Sequence, residues 1–222
     1  MNSSAKFITI EGIEGAGKST QLRLLAKALT ANGEAVTVTR EPGGTPFAEQ
    51  IRDLVLAHTD GPVDPECELY LYLAARAEHV AHHILPRLKS GDWVICDRFT
   101  DATVAYQGNG RGLETAWVRH LAEHAGRIKP ALTLLLDLPV ETGLARMRER
   151  GAGNRLDLEH TAFHQEVRKG YLEAAEAEPE RIARIDASTS LEQIHRQIVA
   201  TVNQRLGAHL PAPLAPALEG DR

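Results

Sequence analysis

Eight residues near the N-terminus, Gly12-Ile13-Glu14-Gly15-Ala16-Gly17-Lys18-Ser19, fit the pattern G-x-x-x-x-G-K-[ST], and they lie where that pattern has physical meaning. The run Phe7-Ile8-Thr9-Ile10 reads as a buried strand leading in, and Leu22, Leu25, Ala26 and Leu29 recur at helical spacing leading out. Strand, glycine turn and helix in that order bring successive backbone N–H groups together at the positive end of a helix dipole, which makes an anion site for phosphates. Lys18 then reaches the β- and γ-phosphates of a nucleoside triphosphate and the Ser19 hydroxyl reaches Mg²⁺. The expected nucleotide-binding set is Gly12, Ile13, Glu14, Gly15, Ala16, Gly17, Lys18, Ser19 and Thr20. The bland alternative, a packing turn with a solvated lysine, does not need this placement.

The same unit predicts the architecture. Further β-branched or apolar runs occur at Ala35 to Thr39, Trp93 to Cys96, Leu132 to Leu136 and Arg181 to Ile185, with helical patterns between them. Alternating strands and helices imply an α/β, three-layer fold of the P-loop NTPase type, with a five-stranded parallel sheet flanked by helices. The longest helical pattern runs from Pro65 to Leu88, another from Ala162 to Ala177, and the last begins near Ser190, with Leu191, Ile194, Ile198 and Val202 on one stripe. A chain of 222 residues suits one domain, expected over 1–208. Beyond it Pro211, Pro213 and Pro216 cannot continue a helix, so 209–222 is expected to be a loose tail.

Composition removes several classes. With 25 Lys and Arg against 30 Asp and Glu, the net charge of −5 argues against a protein that grips a nucleic acid polymer through its phosphates. No run of 18 apolar residues could span a bilayer and the first residues lack a secretory pattern, so the chain reads as soluble and cytoplasmic, with no membrane partner. Cys67 and Cys96 stand outside any C-x-x-C spacing and read as packing residues. His79 and His83 are four apart, but with no third ligand at a diagnostic spacing they read as surface histidines rather than a metal pair.

A phosphate loop alone is shared by GTPases, motor ATPases and small-molecule kinases. The chain has no Asn-Lys pair, which argues against a guanine-reading switch. Asp97, at the end of Trp93-Val94-Ile95-Cys96-Asp97, can hold Mg²⁺ through water, or else cap a helix. Glu68, Tyr72 and Arg76 are spaced four apart and share one helix face. An aromatic ring beside a guanidinium can stack on a base, and Arg, having donors only, favours keto bases over cytosine. Alternatively Tyr72 is core and Arg76 extends to solvent. Arg52 and Arg98 can clamp a second phosphate at the strand ends, unless Arg52 is a plain exposed helix residue. Tyr106 and Gln107, before the glycines at 108, 110 and 112, enter a sugar or base pocket or close the core. Arg146, Arg148, Arg150 and Arg155 flank Gly151-Ala152-Gly153, which suggests a small mobile lid at about 146–157, or a helix end with basic residues offsetting its dipole.

Together these segments resemble the thymidylate kinase family. The likeness runs in order to about Leu206, through the loop at 11–19, Arg-Glu-Pro-Gly-Gly-Thr at 40–45, Ala-Ala-Arg at 74–76, Asp-Arg-Phe at 97–99, Ala-Tyr-Gln-Gly at 105–108 and the arginine-rich segment. The resemblance implies direct, in-line transfer of the ATP γ-phosphate to dTMP with Mg²⁺, giving dTDP for dTTP synthesis, by a homodimer packed through long helices. It implies catalytic roles for Lys18, Arg98, Arg148, Arg150 and Arg155, and metal roles for Ser19 and Asp97. Glu14 is then expected at the acceptor 3′-OH, Tyr72 on the base, Arg76 at thymine O4, Arg52 and Arg98 on the acceptor phosphate, Tyr106 against the 2′ position, and Thr103 and Gln107 at the base edge. Phe99 stands where the family usually has Tyr or His, and Gly15 where some members carry a catalytic Arg. The latter departure matches the variant in which lid arginines supply the charge. The rival readings are a kinase of another keto-base monophosphate, dUMP or GMP, and an ATP-binding switch without transfer chemistry.

Overall fold

All five apolar runs form strands, within a residue of the expected limits: β1 Phe7–Glu11, β2 Val36–Arg40, β3 Trp93–Asp97, β4 Leu132–Asp137 and β5 Ile182–Asp186. The structure is a computed structural model that describes residues 3–149, 151 and 155–211. Every strand pairing is parallel, in the order β2-β3-β1-β4-β5, with Ile10 opposite Asp97 and Glu11 opposite Leu135. β1 and β4 are buried along their whole length, as interior strands of a parallel sheet must be when helices cover both faces, while edge strand β2 is only partly covered.

The helices begin where the sequence supplies caps. α1 (Lys18–Ala31) starts at Gly17, whose φ of 87° closes the phosphate loop. The Thr45 side chain accepts the Ala48 N–H at the head of α2 (Pro46–Leu56), and Asp64 accepts from Glu66 and Cys67 at the head of α3 (Pro65–His79). α3 was expected to run unbroken to Leu88. It widens instead into a π turn at Val80–Ile84 before α4 (Leu85–Lys89), the local adjustment that accommodates Pro86, which has no N–H to return to the preceding turn. A second π turn, Val104–Gly110, follows the short α5 (Thr100–Thr103). The remaining helices are α6 (Thr115–Gly126), α7 (Val140–Glu149), α8 (Thr161–Ala177) and α9 (Leu191–Leu206), the last with a reciprocal capping box between Ser190 and Gln193.

The main core joins Ile8, Ile10, Leu132, Leu134 and Ile185 of the sheet to Leu25, Leu29, Ile198 and Val202 of α1 and α9. A second cluster gathers Phe7, Val94, Cys96 and Phe99 beneath Val80 and Ile84. Phe99 meets Phe7 edge to face with ring centroids 5.0 Å apart. The residue that departs from the family pattern is therefore core, with an aromatic pairing worth on the order of 1 kcal/mol beyond its buried area.

Three expectations are corrected here. His79 is not at the surface: it is fully buried, because Glu41 and Thr39 satisfy its ring nitrogens. Cys67 is exposed rather than packed, since it follows the Asp64 cap on the outer face of α3. The expected loose tail is anchored at its start, where Leu210 is 4% exposed and its N–H and C=O both bond to the Asn203 side chain. The rest of that tail, 212–222, lies outside the described residues. No helix among the described residues is long and apolar enough to cross a membrane.

Candidate active site

The strand order sets β1 between β3 and β4, so the loop after β1 and the residues ending β3 meet at one crevice beyond the carboxyl ends of the strands. There the structure has a cleft of about 220 Å³, lined among others by Glu14, Lys18, Ser19, Arg52, Tyr72, Arg76, Asp97, Arg98, Thr103, Tyr106 and Gln107. Residues expected at the triphosphate and residues expected at an acceptor thus share a single cavity.

On the loop side, Lys18 Nζ donates to Gly12 O and Ile13 O, both at 2.9 Å, which leaves one ammonium proton for a phosphate. Burial, and then the nearby Arg98 charge, lower its pKa to about 8. Gly15 has a φ of 74°, and a Cβ there would collide with the carbonyl oxygen of Gly143 in the first turn of α7. That close approach accounts for glycine at the position where an alternative catalytic arginine would stand. The Ser19 hydroxyl donates to Asp97 Oδ2 at 3.2 Å, while Asp97 Oδ1 is buried with no hydrogen-bond partner. No group of three His, Cys, Asp or Glu side chains among the described residues could hold a metal. A hydroxyl and one orphaned carboxylate oxygen suit Mg²⁺, which takes few protein ligands and completes its shell with phosphates and water.

Arg98 follows Asp97 with a φ of 70°, in the left-handed region that a bulky side chain avoids. Its N–H bonds to Ile10 O, and the next N–H, of Phe99, bonds to the buried carboxylate of Glu11 at 2.6 Å. The turn aims the guanidinium across the cleft, where Nη2 meets Glu14 Oε1 at 2.9 Å, Nη1 meets the Tyr171 hydroxyl at 3.2 Å, and the Tyr106 ring lies 4.7 Å away. Burial alone would raise the Glu14 pKa, but Arg98, then His164, Lys18 and Tyr106 outweigh it and hold the carboxyl well below its ordinary value. Glu14 Oε1 is occupied by Arg98 and Tyr106, whereas Oε2 has no hydrogen bond and lies 3.3 Å from His164 Nδ1.

Arg76 does not extend to solvent. It is 2% exposed, with Nε on Glu41 at 2.7 Å, Nη1 on Thr103 at 2.9 Å and Nη2 on the Phe99 carbonyl at 2.9 Å. Glu41 is in turn held by His79 at 3.0 Å, and His79 by Thr39 at 2.7 Å. Tyr72 is half-buried at the same wall, where burial and the Glu68 charge push its phenol pKa upward. Arg52 donates to Pro42 O at 2.8 Å and is only half-buried, which keeps it available at the mouth.

The arginines expected to form a lid are the site candidates that the structure does not bring to the phosphate loop. Arg155 reaches Glu68 at 2.6 Å and Val55 O at 3.0 Å, drawn there by a buried carboxylate, and Arg148 is exposed with Nε on its own helix at Leu144 O, 3.3 Å. Arg150 and residues 152–154 lie outside the described residues. Sequence reasoning gave no role to Glu41, Glu68, His79, His164 and Tyr171, each of which contacts a residue that lines the cleft, nor to Glu11, which holds Phe99 and Tyr171 behind it. The four-residue spacing of Glu68 with Tyr72 and Arg76 was the one local signal.

Fold and cleft together define the class: a P-loop phosphotransferase with an acceptor pocket opening directly onto its triphosphate loop. The family model of thymidylate kinase matches residues 10–198. Thymidylate kinase of Citrifermentans bemidjiense is 50% identical over 221 residues, covering 96% of this chain and 98% of that one. That of Pseudomonas putida GB-1 is 50% identical over 198 residues, covering 89% and 94%. The crystal structure of thymidylate kinase from Ehrlichia chaffeensis superposes with a TM-score of 0.71 at 32% identity, covering 88% of this chain and 97% of that one. The chain belongs to the thymidylate kinase family.

Proposed function

We propose that the chain moves the γ-phosphate of ATP to the 5′-phosphate of dTMP, giving ADP and dTDP on the route to dTTP. The observation that carries this reading is the single cleft in which Lys18 and Ser19 face the same space as Arg52, Tyr72, Arg76 and Arg98. Transfer of a phosphoryl group is catalysed by alignment and charge neutralisation, and the site offers both. Lys18 turns its remaining proton from the loop to the triphosphate. Arg98, fixed by its turn and by Glu14 and Tyr171, binds the acceptor phosphate with Arg52 and keeps it in line with the donor. Glu14, which lines the cleft, takes the acceptor 3′-OH, and the Tyr106 ring, pinned by its 2.6 Å bond to Glu14, crowds the 2′ position. Tyr72 stacks on the base while Arg76 donates to O4, with Thr103 and Gln107 at its edge. Ser19 and Asp97 would hold Mg²⁺, which when bound neutralises charge on the transferring phosphates.

Arg155, with Arg148 and Arg150, completes the neutralisation by exchanging Glu68 for the γ-phosphate as the lid closes. Arg155→Met is expected to lower kcat by roughly a hundredfold or more while leaving ATP binding mostly intact; an unchanged kcat would remove Arg155 from the chemistry. A cytoplasmic homodimer completes the proposal.

The acceptor is tested by ADP release across dTMP, dUMP, GMP and dCMP. dTMP should give the highest kcat/KM. If GMP outran it, the assignment of Arg76 to thymine O4 would have to be abandoned.

A further inference from the structure

Glu68 is fully buried on α3, yet it is not among the groups that the transfer reaction calls for. Its Oε1 accepts from Gln107 Nε2 at 2.9 Å and Arg111 Nε at 3.1 Å, and its Oε2 from Arg111 Nη2 at 3.1 Å and Arg155 Nη2 at 2.6 Å. A carboxylate has about four acceptor positions, so all are filled. Its ionised form is held by these donors: burial would raise the Glu68 pKa, and Arg111, Gln107 and Arg155 bring it below the ordinary value.

An ionised carboxylate cannot donate. The end of the Gln107 amide that faces Glu68 must therefore be the NH₂, and the carbonyl must face away from it. Gln107 is 1% exposed, lines the cleft, and its Oε1 accepts no hydrogen bond from a described residue. Across the same wall Arg76 has committed three of its N–H groups, to Glu41, Thr103 and Phe99, and as a guanidinium it can present only donors from the remainder. The cleft thus offers a donor from Arg76 and an acceptor from Gln107. A 4-keto pyrimidine presents the complement, a C4 carbonyl next to an N3–H. A 4-amino pyrimidine presents the reverse, so both contacts would fail.

We propose that Glu68 is a specificity-determining positioning residue, whose carboxylate locks the Gln107 amide with its carbonyl toward the cleft so that a base with a keto group beside an N–H is accepted and a 4-amino pyrimidine is rejected. This rests on the reading of dTMP as acceptor. Without the carboxylate, the amide can flip and offer its NH₂ to the N3 of cytosine, and the discrimination that comes from an unpaired buried acceptor is lost.

The test is the ratio of kcat/KM for dTMP to that for dCMP. Both acceptors share a sugar, a phosphate and the lid, so any loss from freeing Arg111 or Arg155 cancels in the ratio. Glu68→Gln is expected to lower the ratio roughly tenfold or more, through the KM of each acceptor. Gln107→Met should lower it too, and adding Glu68→Gln on that background should change it no further, a coupling that a purely structural carboxylate would not produce. If Glu68→Gln does not fold, Glu68→Asp keeps the charge for the arginines, shortens the reach to Gln107, and should lower the ratio in the same direction. A ratio within twofold of wild type in the folded variant overturns the proposal, as does an equal fall in both Gln107 backgrounds. If wild type fails to phosphorylate dTMP at all, the acceptor reading falls first and the proposal with it.

Discussion

Arg98 occupies a backbone conformation that costs a residue with a side chain about 1 kcal/mol or more, and it is kept there by what surrounds it rather than by its own preference. Glu11 is central to that hold: one carboxylate oxygen takes the Phe99 N–H and the other the Tyr171 hydroxyl, at 2.6 and 2.8 Å. Full burial, and then the Asp101 charge, raise the Glu11 pKa from 4.5 to about 7. Because the folded state holds this proton more tightly than the unfolded chain, the stability it contributes is complete below about pH 4.5 and is lost as pH rises toward and through 7. Urea unfolding at pH 5 and pH 8 should show wild type losing on the order of 2 kcal/mol more than Glu11→Gln across that interval. Equal losses in the two proteins would mean that Glu11 ionises as an ordinary surface carboxylate.

At the scale of elements, the loop, strands and helices follow closely from local pattern, because apolar periodicity and caps act over a few residues. The phosphate loop needs only its own glycines and the strand and helix beside it, and Asp97 needs only to end β3. What local pattern could not show is which polar side chains are buried, since their partners come from far along the chain. His79 looks like a surface residue until Glu41 and Thr39, 38 and 40 positions away, are packed against it. Arg155 looks free to meet phosphate until Glu68, 87 positions away, takes it. The meeting of the loop with α7 is of the same kind: Gly15 and Gly143 approach so closely that neither tolerates a side chain, and Gly15 also needs its positive φ. Gly15→Ala should therefore destabilise the protein by at least 1–2 kcal/mol and shrink the rise in Tm produced by ATP. An unchanged Tm and an unchanged response to ATP would show that α7 can move off the loop without cost.

Over the whole molecule, the net charge of −5 conceals a local balance, in which Lys18, Arg40, Arg52, Arg76 and Arg98 line one cleft against Glu14, Glu41, Asp97 and Asp157. The apolar surface is divided as unevenly. Of the five large hydrophobic side chains left exposed among the described residues, four fall on three elements consecutive in the chain, Val38 on β2, Phe47 and Leu54 on α2, and Tyr70 on α3, and α2 packs on α3. Phe47 and Leu54, seven positions apart, share one face of α2 and are 58% and 63% exposed. Scattered exposed hydrophobics need no explanation, but two large ones side by side on one helix face mark an interaction surface. A second copy of the chain is the occupant that the proposed homodimer supplies, and a twofold axis would set this face against itself. Light scattering at micromolar concentration should then give about twice the 24.2 kDa chain mass. Phe47→Asp with Leu54→Asp should return the mass to that of one chain while circular dichroism stays unchanged, because neither side chain contributes to the buried core. Wild type running as a single chain at that concentration would overturn the dimer and leave this face to some other partner.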